Sequence, residues 1–238
     1  MLKNQGARRY DFILLDADNT LFDFDLAEKL ALDITLSAFG YPITENYTGA
    51  YHRSNRALWS AFEAGEISQD AILAGRFQGF LDAVGGREDS LEMNRFYMDT
   101  LATQDQLYQG AEDFCRRLSR DYTLAIVTNG VSPVQHGRMD KSPIRPYFSA
   151  MFVSADVGFR KPQPEIFDAV CKALSITDRS RAVMMGDSLS SDILGGNLAG
   201  IDTIWYNPKG LSQRGGIFPT YTVSSFEEAL KLLGATPY

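Results

Sequence analysis

A doubly wound parallel α/β sheet, with a small all-helical domain inserted after the first strand, is the fold class this 238-residue sequence predicts. Three observations carry the prediction. Short, unbroken apolar runs recur along the chain, each ending in a polar residue followed by turn or helix chemistry, as strands buried on both faces require. Helical patterns lie between those runs, which is the alternation of a parallel sheet. One long stretch, from Leu26 to about Thr103, carries helix signals and no convincing strand.

The first run is Phe12-Ile13-Leu14-Leu15, leading into Asp16. The helical stretch follows. Leu26 to Phe39 ends at Gly40 and Tyr47 to Ala64 ends at Gly65, and both glycines suit a left-handed helix stop. Ser68 is placed to cap a helix running through Phe77, Phe80 and Leu81 to Gly85-Gly86, and Ser90 to open another through Leu91, Phe96 and Met98. A single crossover between strands needs far fewer residues, so the stretch reads as a cap domain over the sheet. The expected division is 1–22 with 104–238 for the α/β core and 23–103 for the helical cap. Beyond it come the runs Leu124–Val127, Met151–Val153, Ala182–Met185, Thr203–Trp205 and the weaker Tyr221–Val223. Helical patterns cover Ala111–Ser119, Pro164–Leu174 and Ser190–Ala199.

With 45% hydrophobic and 22% charged residues, the chain has the composition of a soluble globular protein. Its formal net charge of −7 disfavours polymeric nucleic acid or an anionic membrane as the main partner, while leaving room for a local cationic pocket. Cys115 and Cys171 are too few for a disulfide framework and read as buried thiols. The start of the chain, polar with Lys3, Arg8 and Arg9, lacks the pattern of a targeting signal, and no run approaches the ~20 apolar residues of a bilayer span. The expected location is the cytoplasm.

The chemistry gathers where strands end. Asp16-Ala17-Asp18-Asn19-Thr20 directly follows the first strand, and residues two apart in an extended segment point the same way, so two carboxylates converge there. The carboxyl edge of an open α/β sheet is where ligands bind. Converging anions require a cation or a shared proton. Gly186-Asp187-Ser188 brings another carboxylate to that edge, with Asp192 one helical turn on as either a metal contact or a supporting or capping residue. An oxygen-rich set of this kind suits Mg²⁺. Thr128-Asn129-Gly130 offers a hydroxyl and successive backbone N–H groups to phosphate oxygens, and Lys161 offers a positive charge just ahead of a helix.

Taken in order, Asp16-x-Asp18-x-Thr20, Thr128, Lys161 and Gly186-Asp187 with Asp192 resemble the haloacid dehalogenase-like hydrolase superfamily, along nearly the whole chain. The resemblance implies that Asp16 is the nucleophile of a covalent aspartyl-phosphate route and Asp18 the acid–base partner. It implies Mg²⁺ on the Asp16 carboxylate, the Asp18 backbone carbonyl and the Asp187 carboxylate, with Thr128, the backbone at Asn129 and Lys161 on the phosphate oxygens. Thr20 would support the loop. A finer resemblance, to pyrimidine nucleotidases, rests on Asp16 to Phe22, Asn55 to Trp59, Gly75 to Phe77 and Gly186 to Gly196, and continues at Ala199–Thr203, Trp205 and Asn207. It implies a pyrimidine nucleoside 5′-monophosphate as the phosphate monoester, with Trp59 and Arg76 as base or sugar contacts or as ordinary core and surface residues. Asn19 departs from the glutamate expected in that subfamily and from the glycine common elsewhere.

Other phosphatase chemistries find little support. Positions 121 and 177, where a cysteine phosphate loop needs arginine, hold Asp121 and Thr177, and there is no Gly-x4-Gly-Lys-Ser/Thr loop. His52 and His136 stand without the cationic cluster of a phosphohistidine enzyme. Within the superfamily, a dehalogenase has no alkoxide to protonate, so Asp18 argues for phosphate esters. A sugar-phosphate or phosphoglycolate phosphatase, a phosphomutase and a catalytically silent binding protein remain the alternatives.

Overall fold

The structure is a computed structural model that describes residues 9–213 and 215–235. Its elements in chain order are β1 (Phe12–Leu15), α1 (Phe24–Ala38), α2 (Glu45–Ala64), α3 (Gln69–Val84), α4 (Ser90–Leu101), α5 (Ala111–Leu118), β2 (Thr123–Thr128) and α6 (Ser132–Lys141). There follow β3 (Ala150–Val153), α7 (Ser154–Val157), α8 (Pro164–Ala173), β4 (Ala182–Gly186), a π-helical turn (Leu189–Ile193), α9 (Leu194–Leu198), β5 (Asp202–Tyr206), β6 (Tyr221–Val223) and α10 (Phe226–Leu233). Two compact units result. One comprises the described residues up to Phe24 and from Asp105 onward, and the other is Asp25–Gln104.

In the first unit six strands form one sheet in the order β3-β2-β1-β4-β5-β6, with every pair parallel. The strand sequences explain why the sheet is covered on both sides. Ile13, Leu15, Leu124, Ile126, Val183 and Met185 pack into one core with Phe114 and Cys115 of α5 and Phe226 and Leu230 of α10. The alternate residues Leu14, Ala125, Val127 and Met184 pack into a second core with Ile166, Phe167 and Val170 of α8. Each strand thus needs apolar side chains at consecutive positions, which is how the runs read in the sequence. Both cysteines are buried as free thiols.

The second unit contains the main length of α1 and all of α2, α3 and α4. Its interior is aromatic: Tyr51 lies 5.1 Å from Phe77 and 5.5 Å from Tyr97 between ring centroids. Gly65 and Gly85 end α2 and α3 in the left-handed conformation, and the Ser68 hydroxyl accepts from Ala71 N at the start of α3. Ser90 opens α4, as the sequence suggests. Asp89 is the cap, accepting from Leu91 N and Glu92 N, and Ser90 is the first helical residue. A carboxylate at this position also complements the positive end of the helix dipole. No described helix is long and apolar enough to cross a membrane.

Candidate active site

The sheet order turns back between β1 and β4, so the ends of β2, β1 and β4 lie side by side. Leu15 pairs with Ile126 on one side and Met185 on the other, and Asp16 N donates to Met185 O at 2.9 Å. Asp16 therefore emerges between the Thr128 and Asp187 strand ends, in the crevice where such sheets bind ligands.

Lys161 comes from the loop before α8 and is almost wholly buried. Its ammonium meets three oxygens, those of Asp16 Oδ1 at 2.6 Å, Val127 O at 2.6 Å and Asp192 Oδ1 at 2.7 Å. Three donors with three acceptors satisfy the group, so a bound phosphate would have to share a proton already in use. Burial opposes its charge, but Asp16 and Asp192 outweigh that and raise its pKa. Its backbone is held by Asn129, whose side chain donates to Lys161 O and accepts from Lys161 N, both at 2.8 Å. The sequence pointed to the Asn129 backbone; the side chain turns out to be a bracket for the lysine. Thr128 Oγ1 accepts from Gly130 N at 3.1 Å, which shapes the loop leaving β2.

Asp192 is held at the π-helical turn, where Ser188 N donates to its Oδ2 at 3.0 Å. Gly186 makes this approach possible, because a Cβ there would stand 2.2 Å from Asp192 Oδ2. Asp192 thus anchors Lys161 and the loop, and an oxygen of it also lies among the remaining acids, so both roles expected of it fit the geometry. Oxygens of Asp16, Asp187 and Asp192 lie within 4.8 Å of one another. Burial, and then the neighbouring carboxylates against the pull of Lys161, pushes the Asp16 carboxyl well above its ordinary range. Burial and Asp192 push that of Asp187 up to about 7. Three close carboxylates facing one ammonium leave an excess of negative charge, and their hard oxygens suit a divalent cation such as Mg²⁺. Trp205 Nε1 donates to Asp187 O at 2.8 Å and steadies that strand end.

The other expected residues occupy distinct positions. Thr20 Oγ1 donates to Asp16 Oδ2 at a long 3.3 Å, a loop-supporting contact. Asn19 adopts a left-handed backbone, φ 59°, which asparagine and glycine tolerate better than other residues. This gives its departure from glutamate a physical basis. The Asp18 carboxylate is engaged by Arg138 and by Gln135, two residues to which no motif pointed.

Residues 10–200 match the family model of the haloacid dehalogenase-like hydrolases. The chain belongs to this family. Along its length the hydrolase is 37% identical to YfnB of Bacillus subtilis, covering 95% of this chain and 96% of that one. It is also 37% identical to the pyrimidine 5′-nucleotidase PynA of Streptococcus pneumoniae, over 94% of this chain and 95% of PynA. Identity to the pyrimidine 5′-nucleotidase YjjG of Escherichia coli is 33%, over 94% and 98% respectively. A crystal structure of the B. subtilis YfnB bound to magnesium superposes with a TM-score of 0.89, covering 95% of this hydrolase and 99% of that chain.

In the helical unit of the hydrolase, Arg76 is buried, contrary to the surface alternative. Its guanidinium lies 5.2 Å from the Tyr97 ring centroid, and Nη2 approaches Met98 Sδ at 3.6 Å. Trp59 is half-buried and packs edge-on against Phe62 at 5.6 Å.

Proposed function

We propose that this hydrolase is a magnesium-dependent phosphatase acting on small phosphate monoesters, with pyrimidine nucleoside 5′-monophosphates as its preferred class. The observation that carries the reading is Asp16, bonded to buried Lys161 and set between the Thr128 loop and Asp187 at the sheet's switch point. That is a nucleophile placed beside hydrogen-bond donors for a phosphoryl group and beside an acidic cluster for a metal.

An oxygen of Asp16 attacks phosphorus while the ester P–O bond breaks, giving an aspartyl-phosphate. Oδ2 is the oxygen with the weaker commitment, since Oδ1 is bonded to Lys161. Asp18 gives its proton to the departing alkoxide, then takes one from the water that cleaves the P–O bond to Asp16. Lys161 lowers the cost of bringing a phosphate dianion against Asp16, and the Thr128 hydroxyl with the backbone N–H groups of Asn129 and Gly130 receives the equatorial oxygens. The Asp16 and Asp187 carboxylates and the Asp18 backbone carbonyl would hold Mg²⁺, since the Asp18 carboxylate is already engaged. When bound, the ion offsets repulsion between nucleophile and phosphate.

Two tests follow for metal and substrate. Chelation should stop phosphate release reversibly, and Asp187→Asn should raise the Mg²⁺ concentration for half-activity by at least ~10–100-fold, the loss that follows when merely a partner of a metal ligand is removed. Full activity in excess chelator would remove the metal from the mechanism. Substrate choice is assigned to the helical unit, acting as a cap, because the core site handles the phosphoryl group. In a phosphate-release screen, pyrimidine nucleotides should lead. A screen led by sugar phosphates would overturn the substrate assignment and leave the phosphatase reading standing. Trp59→Ala should lower kcat/KM for the nucleotide by about tenfold, the scale of one base-stacking contact, and spare 4-nitrophenyl phosphate. Arg76→Ala is a poorer probe, since it also opens the interior of the unit.

A further inference from the structure

The Asp18 carboxylate is spoken for on both oxygens. Nη1 of Arg138 donates to Oδ1, and Nε2 of Gln135 donates to Oδ2 at 2.6 Å. The two donors sit three residues apart on α6 and so share one face of that helix. Both are buried, Arg138 at 0% and Gln135 at 3% exposure. The Arg138 guanidinium is aligned by aromatic rings, 4.5 Å from the Phe22 centroid and 5.7 Å from that of Phe24. A buried guanidinium requires a charged or hydrogen-bonding partner, and Asp18 supplies one. Gln135 is steered from the opposite side. A Cβ on Gly130 would fall 2.1 Å from Nε2 and 2.7 Å from Cδ of Gln135, so this side chain fills space that only glycine leaves. Gly130 closes the loop that begins at Thr128. One helix thereby ties the phosphoryl-binding loop to the proton donor.

We infer that Arg138 and Gln135 are positioning residues that set the orientation of the Asp18 carboxylate, an inference that rests on the proposed role of Asp18 as proton donor. Arg138 forms the charge-assisted bond and fixes Oδ1. Gln135 is an uncharged donor and holds Oδ2 less firmly, so Oδ2 is the oxygen that turns to the ester. The proton on Oδ2 passes to the leaving oxygen as the P–O bond breaks, and a proton from the attacking water later returns to Oδ2. Neither positioning residue gains or loses a proton.

The test uses the full chain with Mg²⁺ and two esters, a nucleoside 5′-monophosphate with a poor leaving group and 4-nitrophenyl phosphate with a good one. The readout is kcat/KM, which covers the steps through loss of the leaving group. Gln135→Ala should lower it about tenfold for the nucleotide and less than about threefold for the nitrophenyl ester, part of the 10²–10⁴-fold that proton donation supplies. Added to Asp18→Asn, Gln135→Ala should widen the gap between the esters no further, because both changes act through one group. Arg138→Lys should recover part of the nucleotide activity lost in Arg138→Met. If Arg138→Met does not fold, the Gln135 series decides alone. Equal losses on both esters in Gln135→Ala, or no loss on either, while Asp18→Asn keeps its dependence on the leaving group, would overturn the inference. If Asp18→Asn itself loses equally on both esters, the reading of Asp18 as proton donor falls, and the inference with it.

Discussion

Asp16→Asn is expected to reduce phosphate release by at least about 10⁴-fold, the scale seen when a covalent nucleophile is removed. The amide keeps the size of the carboxylate and can still accept a hydrogen bond from Lys161, so the fold should survive. What disappears is the electron-rich oxygen that attacks phosphorus and the charge that balances the buried ammonium. Acid quench of the native enzyme during turnover should reveal a phosphorylated aspartate by mass spectrometry, and the variant should yield none. Near-normal turnover in Asp16→Asn, with intact mass excluding deamidation back to aspartate, would end the nucleophile assignment.

Asp18→Asn should show the second-largest loss, ~10²–10⁴-fold on a nucleotide, because the alkoxide must then leave unprotonated. The loss should shrink on 4-nitrophenyl phosphate, whose leaving group needs little help. Metal affinity should hold, since the proposed ligand atom of Asp18 is its backbone carbonyl. Asparagine still offers Arg138 one acceptor, which makes it a milder change than alanine for the buried guanidinium. Comparing the Tm of the two variants checks that point. A loss of equal size on both esters in kcat/KM would remove Asp18 from proton transfer.

The parts of this protein that could be read in the sequence are those whose causes are local. Phe12–Leu15 and Ala182–Met185 announce themselves because a strand covered on both faces tolerates no polar interruption. Asp16 and Asp187 are legible because they stand directly after those runs. Long-range causes were hidden. Gln135 and Arg138 lie on a polar helix, and only Asp18, 117 and 120 residues away, gives them a purpose. The Asn129 bracket was hidden for the same reason, since its partner lies 32 residues on. Ser90 marks the start of its helix as read, but the cap itself is Asp89, which reaches two N–H groups. From Ser190 the sequence reads as the start of an ordinary helix. The π-helical turn that presents Asp192 becomes intelligible only once Gly186 is seen to leave room for its carboxylate.

The chain leaves the sheet unit and returns to it at nearly the same place. Phe22 bridges Leu107 in antiparallel fashion, Asp23 N donates to Gln106 O at 2.9 Å, and Tyr108 N donates to Leu21 O at 2.9 Å. This short ribbon belongs wholly to the sheet unit, so the ends of Asp25–Gln104 are fastened together whatever lies between them. The entropy of closing a loop grows only slowly with its length, so the sheet is nearly indifferent to how much chain is threaded through that gap. Such a junction lets heredity exchange what is inserted while the acids and the lysine at the strand ends stay as they are. In the proposed division of labour, new substrates can be acquired by editing one stretch of the gene without disturbing the reaction encoded on either side of it.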